Sequence, residues 1–197
     1  MKTLFLAFLI WCAALPAQAQ VSAEDVSRAQ DYLRQLSTAR ADFIQRSSAG
    51  PVLTGKFYLD RPGRLRFEYN EVKDFIVADG LFIYFYDAAL GEQSNAPIGQ
   101  TLADFLLRKD LSLTGELNAI ESFKQGGFTY ITLVQKNDPG AGQVQLVFAE
   151  VPYGLRKWRI TDPQGEVTEV ELKNMERDIE LDDELFAYYN PKPRPLN

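Results

Sequence analysis

The sequence contains no histidine at any of its 197 positions and a single cysteine, Cys12. Histidine is the usual general base near neutral pH and the usual neutral metal ligand, so most hydrolase schemes lose their centre. Because no cysteine follows position 12, the rest of the chain has neither disulfide bonds nor thiol chemistry. Its hydrophobic core must therefore hold the fold, and one domain of this size buries enough apolar surface to do so.

Basic residues are also scarce, since 21 Lys and Arg stand against 27 Asp and Glu and give a net charge of −6. A chain with an acidic excess is a poor partner for nucleic acid or for an anionic membrane surface. The sequence has no internal repeat, no linker and no low-complexity segment. We therefore expect a single acidic domain with no nucleic-acid partner.

The N-terminus has the pattern of a secretory signal peptide. Lys2 is followed by an apolar run from Leu4 to Leu15 and by the small-residue site Ala17-Gln18-Ala19. An uncleaved membrane anchor is the alternative, but a span needs about 20 apolar residues and this run is shorter. We expect residues 1–19 to be the signal peptide and residues 20–197 to form one domain.

The stretch from Gly55 to Asp87 predicts four short strands in succession. Leu65, Phe67 and Tyr69 alternate with charged residues, which is the period-2 pattern of a strand with one wet face. Asp79-Gly80 supplies the glycine that a tight hairpin turn requires. This part of the chain is therefore expected to form a β-meander.

Two segments carry helix signals. Ser22 and Asp25 have N-cap spacing before an apolar stripe at helical intervals, which predicts a first helix from Ala23 to Ser37. A second capping signature at Thr101 precedes Phe105-Leu106-Leu107 and a basic pair that suits a helix C-terminus, which predicts a short helix ending near Lys109.

Nearly all of the remaining sequence has strand character, including a run from Leu90 to Ile98 that Pro97 places near a sheet edge. Ten or eleven antiparallel strands with only two helices favour a mainly β (α+β) domain. We expect a single antiparallel sheet curved into an unclosed β-barrel whose concave face is apolar. A helix must cover the mouth of such a barrel, and the two predicted helices are the candidates for this lid.

Apolar residues on the predicted strands are candidates for the lining of an apolar cavity. Periodicity alone favours an ordinary core, because aromatic side chains on strands usually pack on one another. The meander from Phe75 to Tyr86 favours a cavity, since both of its faces are apolar and the chain has little helix to cover them. The candidate lipid-binding cavity consists of Phe43, Phe57, Leu65, Phe67, Phe75, Ile83 and Phe85.

Arg61, placed before Pro62, is either a polar residue at a turn or a clamp or partner contact. We hypothesise that its guanidinium donates to free carbonyls of the segment from Leu102 to Lys109 and latches that lid shut. The candidate lid and latch residues are Arg61, Leu102, Phe105 and Leu106.

Three charged groups have competing interpretations. A basic stripe is either a docking surface or a solvated face, and an acidic triplet is either a metal site or a helix start favoured by the helix dipole. A glutamate pair matches the two carboxylates of a glycosidase, although nothing in the sequence selects it for that role. The basic stripe is Lys56, Arg64 and Arg66, the acidic triplet is Asp182, Asp183 and Glu184, and the glutamate pair is Glu68 and Glu71.

The order of motifs resembles the LolA family of periplasmic lipoprotein carriers over nearly all of the chain after the signal peptide. The segments that carry the resemblance are ADFIQ, GKFYLDRPGRLRFEY, IVADGLFIYFYD, TLADFLL, ITDPQGEVTEVEL and DDELFAYYNP. By position, Arg61 matches the family's arginine before proline, and Leu65 and Phe67 match a cavity-lining pair. Family members usually carry a bulkier aromatic in that pair, so Leu65 is a departure.

The resemblance implies a monomeric periplasmic chaperone with no enzymatic activity and no cofactor. Such a carrier takes acylated lipoproteins released by the inner-membrane transporter LolCDE and passes them to a LolB-type receptor or to the outer membrane. The alternative functions are a LolA-like carrier or sensor of another lipid or glycolipid, and an enzyme built on carboxylates.

Overall fold

The computed structural model describes residues 21–100, 105–109, 111–189 and 191, and the predicted signal peptide lies outside these ranges. The described chain begins with one α-helix and continues in strands. The elements are α1 Ala23–Gln35, β1 Thr38–Ser47, β2 Val52–Asp60, β3 Arg64–Tyr69, β4 Phe75–Asp79, β5 Phe82–Asp87, β6 Glu92–Pro97, β7 Leu117–Gln125, β8 Phe128–Gln135, β9 Gln143–Glu150, β10 Tyr153–Thr161 and β11 Val167–Arg177, with short 3₁₀ turns at Pro139–Ala141 and Asp183–Phe186.

The eleven strands form one antiparallel sheet in the order β6-β5-β4-β3-β2-β1-β11-β10-β9-β8-β7. The chain meanders from β1 out to β6, restarts at the opposite edge with β7, and meanders back until β11 pairs with β1. Among the described residues β6 and β7 do not pair, so the sheet curls without closing. This confirms the expected unclosed antiparallel sheet.

The alternation in the sequence divides the sheet into an apolar concave face and a polar outer face. On the concave face Phe57 lies opposite Phe67 and Leu59 opposite Leu65, and all four side chains are buried. On the outer face the neighbouring cross-strand pairs are Lys56 with Glu68 and Tyr58 with Arg66. The period of two therefore fixes which side chains meet inside the curl.

Helix α1 begins where the capping signature predicts it. The Ser22 side chain accepts a hydrogen bond from the backbone N–H of Asp25 at 3.2 Å. The helix ends at Gln35 rather than at Ser37, because Leu36 adopts an extended conformation and the Ser37 carbonyl instead accepts a hydrogen bond from the backbone N–H of Arg61 at 2.8 Å. The predicted C-terminal boundary was two residues too long.

The second predicted helix is wrong for the residues that the structure describes. Positions 101–104 lie outside the described residues, and Phe105, Leu106 and Leu107 form a turn. All three side chains are buried, whereas a short helix on a sheet buries only one of its faces. The carbonyl of Leu107 accepts a hydrogen bond from the backbone N–H of Gly63, so a tertiary contact occupies a backbone group that a helix uses internally.

The connection between β6 and β7 covers the concave face. These strands are the two edges of the sheet, so the connection has to travel from one edge to the other. We call its described residues, 105–109 and 111–116, the crossing segment. It buries Leu111 and Leu113 in the core, and α1 binds it through Arg34 Nε to the Leu111 carbonyl at 3.3 Å and through Gln30 Oε1 to the Leu113 N–H at 2.9 Å.

The C-terminal residues cover the outer face of the meander. The ring of Tyr188 stacks on Tyr84, with centroids 4.4 Å apart, and Phe75 stacks on Tyr86 at 5.1 Å. The guanidinium of Arg66 lies over the Phe75 ring. Phe186, at the end of the short turn Asp183–Phe186, is buried. The chain itself therefore covers the second apolar face of β4 and β5.

One strand boundary also differs from its prediction. β6 begins at Glu92 rather than at Leu90, because the backbone N–H of Leu90 is bonded to the Asp87 carboxylate in the preceding turn and its side chain is exposed. Pro97 lies on an edge strand, as predicted.

We expect Gly55→Ala to destabilise the domain by about 2 kcal/mol, as overpacking of a filled core does. A Cβ at this position would collide with the Glu68 carbonyl oxygen and come within 2.8 Å of the Phe43 ring. Urea unfolding measures the change. The matched control is Gly140→Ala, where the nearest atom is 3.6 Å away and the expected change is below about 1 kcal/mol. Equal stability of the Gly55 variant and the parent would contradict this packing.

Candidate binding cavity

The concave face encloses an apolar cavity of about 280 Å³ beneath the crossing segment. The walls come from both halves of the sheet, and Leu106 of the crossing segment lines the cavity as well. The lining residues are Gln45, Phe57, Leu65, Phe67, Tyr69, Ile76, Ile83, Phe85, Leu106, Trp158, Ile160, Thr168 and Val170. With so few polar groups, the cavity suits a hydrocarbon chain better than a polar metabolite.

The structure brings most of the predicted cavity residues together. Phe57, Leu65, Phe67, Ile83 and Phe85 all line this cavity. They occupy cross-strand positions of one face, since the pairs Phe57–Phe67, Leu65–Ala78 and Ala78–Ile83 follow the register from β2 to β5. The structure therefore brings five of the seven candidates together in the lining of one cavity, and Phe43 lies on the same face of the sheet.

Phe43 supports the cavity wall from the core. Its ring packs edge-on against Phe67 and Tyr69, with centroid distances of 5.0 and 5.3 Å, and its side chain is fully buried. Phe43 also lies opposite Gly55 in the sheet. It is not among the lining residues, so its position is that of a core residue behind the wall.

Phe75 lies on the opposite face of the sheet from the other candidates. In β4 it pairs with Glu68 of β3, an outward residue, whereas Ile76 pairs with Phe67 and points into the cavity. The ring of Phe75 stacks on Tyr86 on the outer face. Because both faces of this strand are apolar, the sequence could not decide between Phe75 and Ile76, and the placement of Phe75 with the concave residues was wrong.

One wall of the cavity, which comes from β10 and β11, was not predicted from the sequence. The Trp158 ring packs against Phe57 and Phe67, and Phe105 of the crossing segment packs edge-on against the same ring, with centroids 5.9 Å apart. Ile160 and Val170 complete this wall. Trp158 and Ile160 alternate with basic residues in the sequence, so their shared face was predictable, but their meeting with β2 depends on the distant pairing of β1 with β11.

Arg61 binds two parts of the cover at once. Its Nη1 donates to the Leu33 carbonyl in the last turn of α1, and its Nη2 donates to the Arg108 carbonyl of the crossing segment at 2.8 Å. The following turn adds the bond from the Gly63 N–H to the Leu107 carbonyl at 2.9 Å. Burial lowers the pKa of the Arg61 guanidinium, and its Nε is buried without a hydrogen-bond partner.

The remaining lid candidates lie in different environments. Leu106 lines the cavity and Phe105 packs on Trp158. Leu102 lies outside the described residues. The described part of the predicted lid is therefore a buried turn that contacts both the cavity and the Arg61 guanidinium.

The three charged groups are engaged in local contacts. In the basic stripe, Lys56 pairs with Asp42, Arg64 with Asp60 and Asp183, and Arg66 with Glu68. Glu71 accepts hydrogen bonds from the N–H and hydroxyl of Thr54. The Asp182 carboxylate caps the 3₁₀ turn through the Glu184 N–H.

A second, more open cavity of about 400 Å³ adjoins the apolar one and forms its mouth. The two share Gln45, Tyr69, Ile76 and Phe85. The Tyr69 hydroxyl donates to Gln45 Oε1 at 3.1 Å. Burial, reinforced by the charge of Asp74, raises the pKa of Tyr69 to about 12, so the phenol keeps its proton at neutral pH.

In the part of the chain that the structure describes, no helix is long and apolar enough to cross a membrane.

Comparison with known proteins identifies the family. Residues 34–189 match the family model described as outer membrane lipoprotein carrier protein LolA. The chain is 28% identical to the outer-membrane lipoprotein carrier protein of Methylococcus capsulatus, with 91% of this chain and 89% of that protein covered. It is 29% identical to the protein of the same name from Legionella pneumophila strain Paris, with 88% of each covered.

A solved structure shares the fold at low sequence identity. A DUF1329 family protein from Desulfovibrio piger superposes with a TM-score of 0.51 at 12% identity, covering 83% of this chain and 95% of that one. This likeness concerns the fold alone. The match of the family model over most of the chain is what assigns the family, and the chain belongs to the LolA family of outer-membrane lipoprotein carrier proteins.

Proposed function

We propose that this protein shields the acyl chains of lipoproteins and carries them across the periplasm from the inner to the outer membrane. The observation that carries the proposal is the apolar cavity on the concave face, which lies under a cover held by a few polar contacts. The names of the related proteins support the same cargo. The protein acts as a carrier and not as an enzyme.

The energetics of acyl chains require such a shield. Each buried CH₂ group is worth about 0.8 kcal/mol, so a lipoprotein with several acyl chains does not leave a membrane for water unaided. A cavity lined by aromatic and aliphatic side chains offers the chains an environment of similar polarity. The carrier therefore lowers the barrier of transfer between two membranes without a chemical reaction.

The cavity has to widen when cargo enters. Its volume of about 280 Å³ is at the lower limit of sites that enclose drug-sized ligands, which measure roughly 300–1,000 Å³. Several acyl chains are larger than one such ligand. The cover is the part that can move, because its described residues lie outside the strand ladders and are held by a few polar contacts and by buried side chains such as Phe105 and Leu106. The walls, in contrast, are strands joined by hydrogen-bond ladders.

The route proposed for the cargo begins at the inner-membrane transporter LolCDE and ends at a LolB-type receptor or at the outer membrane. The predicted signal peptide at residues 1–19 supports export of the carrier to the periplasm. The carrier acts as a monomer, since one chain supplies both the cavity and its cover.

The latch proposed for Arg61 follows from its two carbonyl partners. Closing the cover lets the guanidinium donate to the Leu33 and Arg108 carbonyls, and opening it separates these carbonyls from each other. Hydrogen bonds from a charged donor contribute about 1.5 to 3 kcal/mol each. The closed state therefore competes with the binding of cargo and favours its release at the receiving membrane.

We expect Phe85→Glu to abolish transfer of lipoproteins to the outer membrane while the protein remains folded. Phe85 lines the cavity but is partly exposed at its mouth, so a carboxylate there is tolerated by the fold yet opposes acyl chains. The matched control is Phe82→Glu on the same strand, which has nearly the same exposure and lies on the outer face. Transfer from inner-membrane vesicles and circular dichroism are measured together.

One outcome of this comparison counts against the cavity. If the Phe85 and Phe82 variants transfer cargo equally, the concave face does not hold the acyl chains. Phe67→Glu extends the test deeper into the wall: the proposal expects secretion to persist and transfer to cease, whereas an ordinary core residue would give an unfolded domain. A neutral glycolipid extracted with the purified wild-type protein in place of lipoprotein would favour a carrier of another lipid.

We expect Arg61→Leu to accept cargo normally and to release it poorly, because closing the cover no longer gains the two charged hydrogen bonds. The release rate to outer-membrane acceptor vesicles should fall about tenfold or more, which corresponds to the loss of one such bond. The matched control is Arg40→Leu, whose guanidinium pairs with Glu176 on the exposed surface. Release at the parental rate, or failure to load, would show that Arg61 is a turn or docking residue.

A further inference from the structure

A polar pair stands at the border between the apolar cavity and its open mouth. Gln45 and Tyr69 line both spaces. They come from strands β1 and β3, which both pair with β2, where Gln45 lies opposite Leu53 and Tyr69 opposite Gly55. Phe67 and Ile76 continue the wall on the apolar side, and Asp74 and Asp87 line the mouth. The pair therefore marks the depth at which hydrocarbon surroundings give way to solvent.

The hydrogen bond within the pair determines which donor groups remain for a ligand. The Tyr69 hydroxyl gives its only proton to Gln45 Oε1. This bond fixes the carboxamide and leaves the two N–H donors of Gln45 Nε2 for another partner. Gln45 is only partly buried, so these donors are accessible from the cavity and its mouth. The border thus presents fixed donors in an otherwise apolar wall.

We propose that the Gln45 carboxamide donates a hydrogen bond to the ester or amide carbonyl at the head of a cargo acyl chain, and so sets how deep the chain enters the cavity. This inference rests on the proposed carrier function. An acyl chain ends in a carbonyl that accepts hydrogen bonds and donates none, which complements the free N–H groups of Gln45. Tyr69 is a positioning residue, because it holds the carboxamide.

The charges at the mouth select for a neutral head group. The Asp74 carboxylate acts electrostatically on Tyr69 and contributes to its raised pKa, so a second negative charge at the same depth is repelled. A free fatty acid places its carboxylate at this border, whereas an ester or amide places an uncharged carbonyl there. The site therefore favours esterified or amide-linked acyl chains over free fatty acids.

The test compares two neutral lipids that differ only in the acceptor. A short-chain diacylglycerol and the dialkylglycerol ether of equal chain length each displace Nile red from the purified protein. The wild-type protein should prefer the diester by about 2- to 12-fold, the range expected for one hydrogen bond. Gln45→Met keeps the size of the side chain but has no donor, so the preference should disappear while the affinity for the ether persists.

The controls separate this inference from the carrier proposal. Gln93→Met makes the same change at an exposed glutamine of the mouth, and the diester preference should survive it. Gln45→Glu, measured at pH 8, serves as a second variant of unchanged size if Gln45→Met is unfolded by circular dichroism, and it too should lose the preference.

Two results would overturn the inference while the carrier function stands: equal affinity of the wild-type protein for ester and ether, or a diester preference that survives in a folded Gln45 variant. Failure of both lipids to displace Nile red from the wild-type protein would instead contradict the proposed function itself. The two failures are therefore distinguishable in one set of titrations.

Discussion

The cavity depends on one topological constraint, which is that the chain must pass from one edge of the sheet to the other. The first six strands end at the β6 edge, and the seventh begins at the β7 edge. An open curled sheet has an apolar concave face that must be covered, and the connection that makes this passage supplies the cover. Leu106 and Leu111 belong to this connection, and their side chains are buried because the connection lies over the concave face. The lid is therefore part of the fold's connectivity and not an added element.

The cover and the walls are held by different kinds of contact. Adjacent strands are joined by hydrogen-bond ladders along their lengths, and cross-strand apolar pairs add to each ladder. The crossing segment is tied by Arg61, by Gly63 and by two contacts from α1. The segment also packs Phe105, Leu106, Leu107, Leu111 and Leu113 into the core. The proposed carrier function requires both sets of contacts to be released when the cover opens, while the strand ladders of the walls stay in place.

Much of the concave face follows from the sequence because a strand's side chains alternate. Phe57, Leu65 and Phe67 were assigned to one surface by period alone, and the register of β2 and β3 places them there. The capping signature at Ser22 likewise placed the start of α1. These features depend on neighbouring residues in the chain, which is why local patterns were sufficient.

The errors arise where distant segments decide the outcome. The alternation of side chains defines two faces of a strand but does not show which of them is the concave face. Phe75 was therefore assigned to the concave face, although Tyr188 and Arg66 cover its ring on the outer face. Trp158 was missed because its approach to Phe57 depends on the pairing of β1 with β11, more than a hundred residues apart in sequence. The segment around Leu107 formed a turn because the turn after β2 binds the Leu107 carbonyl.

The central claim is that acyl chains occupy the space beside Trp158, and quenching of this residue tests it most directly. The sequence has two tryptophans, and removal of the predicted signal peptide leaves Trp158 alone. A triacylated peptide with brominated chains is titrated into the mature protein, with the unbrominated peptide as control. We predict saturable quenching by the brominated peptide only, because bromine quenches indole fluorescence on contact. Binding of the peptide, measured by its co-migration in gel filtration, without quenching of Trp158 would contradict the account.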